Sequence, residues 1–119
     1  MQFNNLEQYY INETLIQETA DQIIKDFSEF SFELTFTGEK ERPYDELFGQ
    51  LRPIIEYLLE KEQEKFMSII YRIDLDEAAL KNALFPSEDG EPAQLIADLI
   101  IQRELKKVVI RNYFKQQAD

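Results

Sequence analysis

The sequence predicts an all-α fold: an irregular bundle of four to six helices, with room for one short extended segment near residues 30–37. Three observations carry this expectation. Apolar residues recur every three or four positions along most of the chain, the period of a helix with one buried face. Leu, Ile, Glu, Gln and Lys dominate, most of them good helix formers, while three Gly and four Pro are few for a turn-rich β protein. Only one stretch alternates with period two.

Residues 1–11 are polar with aromatic punctuation (Phe3, Leu6, Tyr9, Tyr10, Ile11) and are expected to form a short helical turn or a strap over the core. Asn12 is a suitable N-cap for the first helix, with Glu13 near its positive end. Leu15, Ile16, Ala20, Ile23, Ile24 and Phe27 form its apolar stripe, and Glu18, Asp21, Gln22, Lys25 and Asp26 are assigned to the opposite face. The period then changes. Phe30, Phe32, Leu34 and Phe36 alternate with Ser31, Glu33, Thr35 and Thr37, a strand-like pattern. A lone strand leaves backbone groups unpaired, so its mate is expected to be the N-terminal strap or another copy of the chain. The segment reads as the tail of the first helix passing into an extended stretch.

Gly38 to Arg42 is a charged linker, and Pro43 suits the first position of a second helix, with Asp45 and Glu46 in its first turn. Pro53 is expected to kink or break that helix near Arg52, because proline lacks the N–H donor and crowds the preceding turn. The polar run Glu60 to Lys65 is a break or an exposed turn. Phe66, Met67, Ile69, Ile70 and Ile73 then resume a buried face. Asp74 followed by Glu77 approximates a capping box for a further helix. Pro86 to Gly90 is a loop, and Pro92 opens the last helix, whose wide apolar band suggests a central position. Ile101 and Leu105 lie off its main line; they face a partner or, as the plainer reading has it, one broad core.

The length suits a single domain spanning residues 1–119, and a 44% hydrophobic share is enough for a core. There is no cysteine, which excludes disulfides, thiolate nucleophiles and thiolate zinc sites. The absence of histidine removes the commonest general acid/base and transition-metal ligand. No apolar run approaches the ~20 residues needed to cross a bilayer. Without a secretory-type start, the expected location is cytoplasmic.

The net charge is −11, which disfavours nucleic acid as a partner, since binding it is mostly phosphate neutralisation. The charge is uneven. Residues 1–98 hold 22 of the 24 acidic and 8 of the 13 basic groups, whereas 99–119 carry +3 from Arg103, Lys106, Lys107, Arg111 and Lys115 against Glu104 and Asp119. The plain account is a helix ending in cations that complement its dipole; the functional one is a contact with an anion or an acidic protein.

No constellation amounts to an active site. Counted from Asp74, an EF-hand would need Gly and Glu where Ala79 and Phe85 stand. Glu60, Glu62 and Glu64 alternate with lysines as a solvated face does, and a di-metal bundle site would need histidine. The three glycines are isolated and make no phosphate-cradling loop. No metal site, cofactor or catalytic residue is expected. Arg72 either locks a helix corner through Asp74 or Asp76, or binds an anion beside Tyr71; Arg72, Arg103, Lys107 and Arg111 are the candidate anion contacts. Phe30, Phe32, Leu34 and Phe36 are the candidate interaction surface, unless the segment folds back to cap the bundle.

The stretch Phe66 to Asp74, followed by the Ile/Leu helix from Leu95 to Arg111 with its Arg-Glu-Leu-Lys-Lys run, resembles small helical bacterial proteins to which no activity is assigned. The resemblance covers the C-terminal half and implies a helical fold without supplying functional residues. The leading functional reading is a non-enzymatic interaction or accessory protein of the bacterial cytoplasm, binding another protein or itself, for instance as a homodimer. The second is a small-molecule-binding or catalytic domain built on Arg, Tyr and carboxylates. The third is an acidic mimic of nucleic acid.

Overall fold

A computed structural model describes residues 12–39, 42–87 and 90–117; the expected strap at 1–11 lies outside them. Five helices follow in order: α1 (Glu13–Ser28), α2 (Pro43–Lys61), α3 (Gln63–Ile73), α4 (Glu77–Leu84) and α5 (Pro92–Gln117). There is no strand among the described residues. None of these helices is long and apolar enough to cross a membrane.

Helix α5 packs against all four others, most extensively against α2 and α1. This explains its wide apolar band. Ile96, Ala97, Ile100, Ile101, Leu105, Val108 and Val109 are all buried, so Ile101 and Leu105 face the core. Around α5 the same core takes Ile23 and Phe27 from α1, Leu51, Ile55 and Leu58 from α2, and Phe66, Ile69 and Ile73 from α3.

Helix α1 starts as its sequence indicates: the Asn12 side chain accepts from the Leu15 N–H at 3.1 Å. It stops without a glycine. Ser31 adopts a left-handed backbone (φ 71°), its N–H donates to Ser28 O, and the Phe32 N–H donates back to Phe27 O. These two bonds satisfy carbonyls that the helix end would otherwise leave bare. Helix α3 ends the same way at Asp74 (φ 63°), with the Asp74 and Leu75 N–H groups both reaching Ile70 O.

Asp74 therefore is not the N-cap of α4. That role falls to Asp76, whose carboxylate accepts from the Ala79 N–H at 2.9 Å. Nor is α2 broken at Pro53: the helix continues to Lys61. Pro53 and Gly49, whose carbonyl loses its usual donor, are both exposed, so water can replace the missing bond. The break comes instead at Glu62 (φ −141°, ψ 66°), inside the polar run.

Residues 32–37 are extended but pair with no strand. Their partner is α2. The Gln50 carboxamide accepts from the Thr35 N–H at 2.9 Å and donates to Thr35 O at 2.8 Å. One turn earlier the buried Glu46 carboxylate accepts from Thr37 N–H (2.8 Å) and Gly38 N–H (3.1 Å). Two side chains spaced i, i+4 on a helix thus supply hydrogen-bond partners to the Thr35 backbone and to the Thr37 and Gly38 N–H groups, as a neighbouring strand would.

Candidate functional site

The alternation of residues 30–37 sets the fate of the aromatic segment. Leu34 is buried, and Phe30, Phe32 and Phe36 are partly buried against the core, while Glu33, Thr35 and Thr37 point outward. Phe32 is further covered by Tyr57, edge-on at 6.2 Å between centroids, and by the Lys65 ammonium 5.5 Å from its ring. The four residues thus cap the bundle, and their exposed neighbours are polar.

The four cations each meet an internal carboxylate. Arg72 reaches back 46 positions: its Nε donates to Asp26 at 3.1 Å and its Nη1 lies 2.5 Å from Glu29. Asp26 also accepts from Gln22 and is only 3% exposed. It belongs to the buried face of α1 and not to the polar face, because Arg72 supplies the counter-charge that burial demands. The bond to Asp26 raises the Arg72 pKa, desolvation opposes it, and the nearby Glu29 and Asp26 charges add to the rise. Arg103 joins Asp74 through its carboxylate (3.2 Å) and its carbonyl (3.0 Å). Arg111 lies 3.9 Å from Glu18, and Lys107 lies 2.7 Å from Glu104.

Glu104 is the outlier of this set. It is fully buried near the middle of α5, and neither carboxylate oxygen receives a hydrogen bond of proper geometry despite the close Lys107 charge. Burial raises its pKa, Lys107 opposes this, and the Asp26 charge adds to it. The register signals the position: Glu104 stands four residues after Ile100 and four before Val108, inside the apolar band. Within the described residues these carboxylates meet partners of the same chain: Asp26 meets Arg72 and Gln22, and Glu104 meets Lys107. Among the described residues no group of three or more carboxylates could hold a metal ion.

The accessible features lie elsewhere. A groove of about 500 Å³ runs between α3 and α4, lined by Met67, Ile70, Tyr71, Leu75 and Leu80, with Ser68, Asp74 and Glu77 as polar lining. Tyr71 is 89% exposed and Met67 52%. Met67 thus leaves the buried face expected for it, since Phe66, Ile69, Ile70 and Ile73 already fill the stripe facing the core. Met67 and Tyr71 are spaced i, i+4 and share the outer side, a signal present in the sequence. Further exposed aromatics at helix ends are Phe85, which closes α4 (77%), and Phe114 near the end of α5 (64%), whose ring meets Tyr113 edge-on at 5.4 Å.

Comparison with protein-family models, with curated proteins and with solved structures finds no match for this chain.

Proposed function

We propose that this chain is a non-catalytic interaction or accessory protein of the bacterial cytoplasm, and that its α3–α4 face binds another protein. The observation that carries the reading is the exposure of Tyr71 and Met67 along an apolar groove. Single exposed apolar side chains are ordinary, but a paired aromatic and methionine over a groove is the composition enriched at protein interfaces. Methionine's flexible thioether also adapts to varied partner surfaces. The absence of His and Cys and the internal pairing of the candidate cations favour binding over catalysis.

The test is affinity purification from the native host with wild-type and Tyr71→Asp baits, read by mass spectrometry. Proteins recovered by the wild type and lost with Tyr71→Asp support the reading. Identical protein sets from the two baits refute it.

A further inference from the structure

Helix α5 changes its attachments at Glu104. On the N-terminal side, Tyr44 of α2 bonds Asp98, Arg52 of α2 pairs with Glu91, and Arg103 holds Asp74 at the end of α3. On the C-terminal side, the polar bonds from α5 to another described helix go to α1, from Asn112 and Arg111 to Glu18. Leu105, Val108 and Val109 are buried along this second half, as is Ile16 of α1.

Glu104 stands at the division, fully buried, with neither carboxylate oxygen receiving a properly directed hydrogen bond. The charges acting on it are Lys107, 2.7 Å away, and Arg103 on its own helix, and Asp26 on α1. Asp26 is held in turn by Arg72 of α3, which also pairs with Glu29. The charges of α2 are engaged or exposed elsewhere: Asp45 meets Arg42, Glu46 meets Thr37 and Gly38, Arg52 meets Glu56, and Glu60 and Lys61 are exposed. Glu77 and Lys81 of α4 are exposed as well. An ionised carboxylate needs water or several donors, whereas a neutral carboxyl tolerates such a place far better. Lys107, one-third exposed, marks the edge from which water can reach it.

We propose that Glu104 is a pH-operated latch on the second half of α5: protonated, it leaves residues 105–117 closed on α1, and ionised, it releases them so that water reaches the carboxylate. The sign follows from the groups around it. Burial, with the Asp26 charge added, lifts the Glu104 pKa above its ordinary value, and Lys107 and Arg103 oppose this without cancelling it. The closed state therefore binds the proton more tightly than the open one, and release grows as pH rises. Release uncovers Leu105, Val108, Val109 and Ile16, an apolar surface separate from the α3–α4 face.

The test combines an NMR titration of the Glu104 side-chain carboxyl with amide hydrogen exchange on the full chain, corrected for the intrinsic effect of pH. The carboxyl is expected to titrate above the ordinary 4.5. Between about pH 5 and about pH 8, protection of residues 105–112 is expected to fall about fivefold or more relative to Leu51 and Ile55 on α2. Glu104→Gln, which stays neutral, is expected to abolish that fall. Lys107→Gln withdraws an opposing charge and is expected to move the titration and the fall in protection to higher pH; it tests the latch even where the Gln variant at 104 does not fold. A carboxyl that titrates at or below 4.5, a fall that persists in Glu104→Gln, an equal fall at Leu51 and Ile55, or an unmoved midpoint in Lys107→Gln overturns the proposal.

Discussion

Replacing Glu104 by methionine removes a carboxylate that is fully buried and receives no properly directed hydrogen bond. A buried polar group left unsatisfied costs about 1–3 kcal/mol. Against this stands the contact with Lys107, a side chain one-third exposed. Such a partly solvated pair contributes about 0–1 kcal/mol, and freed Lys107 can turn to water. Methionine has similar helix propensity and length, and its thioether suits the surrounding Ile100, Ile101 and Val108. The expected net effect is a stabilisation of about 1–2 kcal/mol at neutral pH, read as a higher urea midpoint at unchanged m-value. The effect must also depend on pH. Burial, reinforced by the Asp26 charge and opposed by Lys107 and Arg103, lifts the folded-state pKa above the ordinary 4.5. Between the ordinary and the raised value the folded chain holds a proton that the unfolded chain has released. Glu104 therefore favours folding most below that window, and the contribution is lost as pH rises through it. The advantage of Glu104→Met over wild type should accordingly be larger at about pH 8 than at about pH 4.5. A variant that is destabilised by more than about 1 kcal/mol, or an advantage that does not change with pH, refutes the reasoning: either result means that the carboxylate is well satisfied where it lies.

Two further outcomes follow from the backbone. Glu46→Ala strips the partner from the Thr37 and Gly38 N–H groups and is expected to cost about 1–3 kcal/mol; hydrogen exchange at these two amides should accelerate far more than at Ile23 or Ile100 in the core. Ser31→Gly relieves a left-handed residue at an exposed position and is expected to stabilise the chain by roughly 0.5–1 kcal/mol in thermal or urea unfolding, whereas Ser31→Ala gives no gain.

Much of the helical architecture was legible because its signals are local. The stripe Ile16, Ala20, Ile23, Phe27 marks α1, Asn12 caps it, and Pro92 opens α5. The errors cluster where local signals compete. Asp74 and Asp76 both offer a cap, and which one is used depends on how α3 ends two residues earlier. Pro53 carries a breaking signal, but its exposed position lets the helix continue. Glu104 and Asp26 were readable from register alone, since each stands at an apolar-stripe spacing. A rule that assigns charged residues to the polar face hides them.

By itself, the sequence determined that this is a helical, acidic chain without histidine or cysteine, and where most helices run. Composition is given outright, and a period of 3.6 acts over neighbours three and four residues away. Only the tertiary structure decided which partner each buried charge found, that α2 side chains serve as mate to the extended segment, and that Met67 and Tyr71 stay outside while Glu104 goes in. Those outcomes join residues such as Asp26 and Arg72 that are far apart in the chain. Which face of a helix is covered depends on the neighbours that pack against it, and the helix's own periodicity does not contain them.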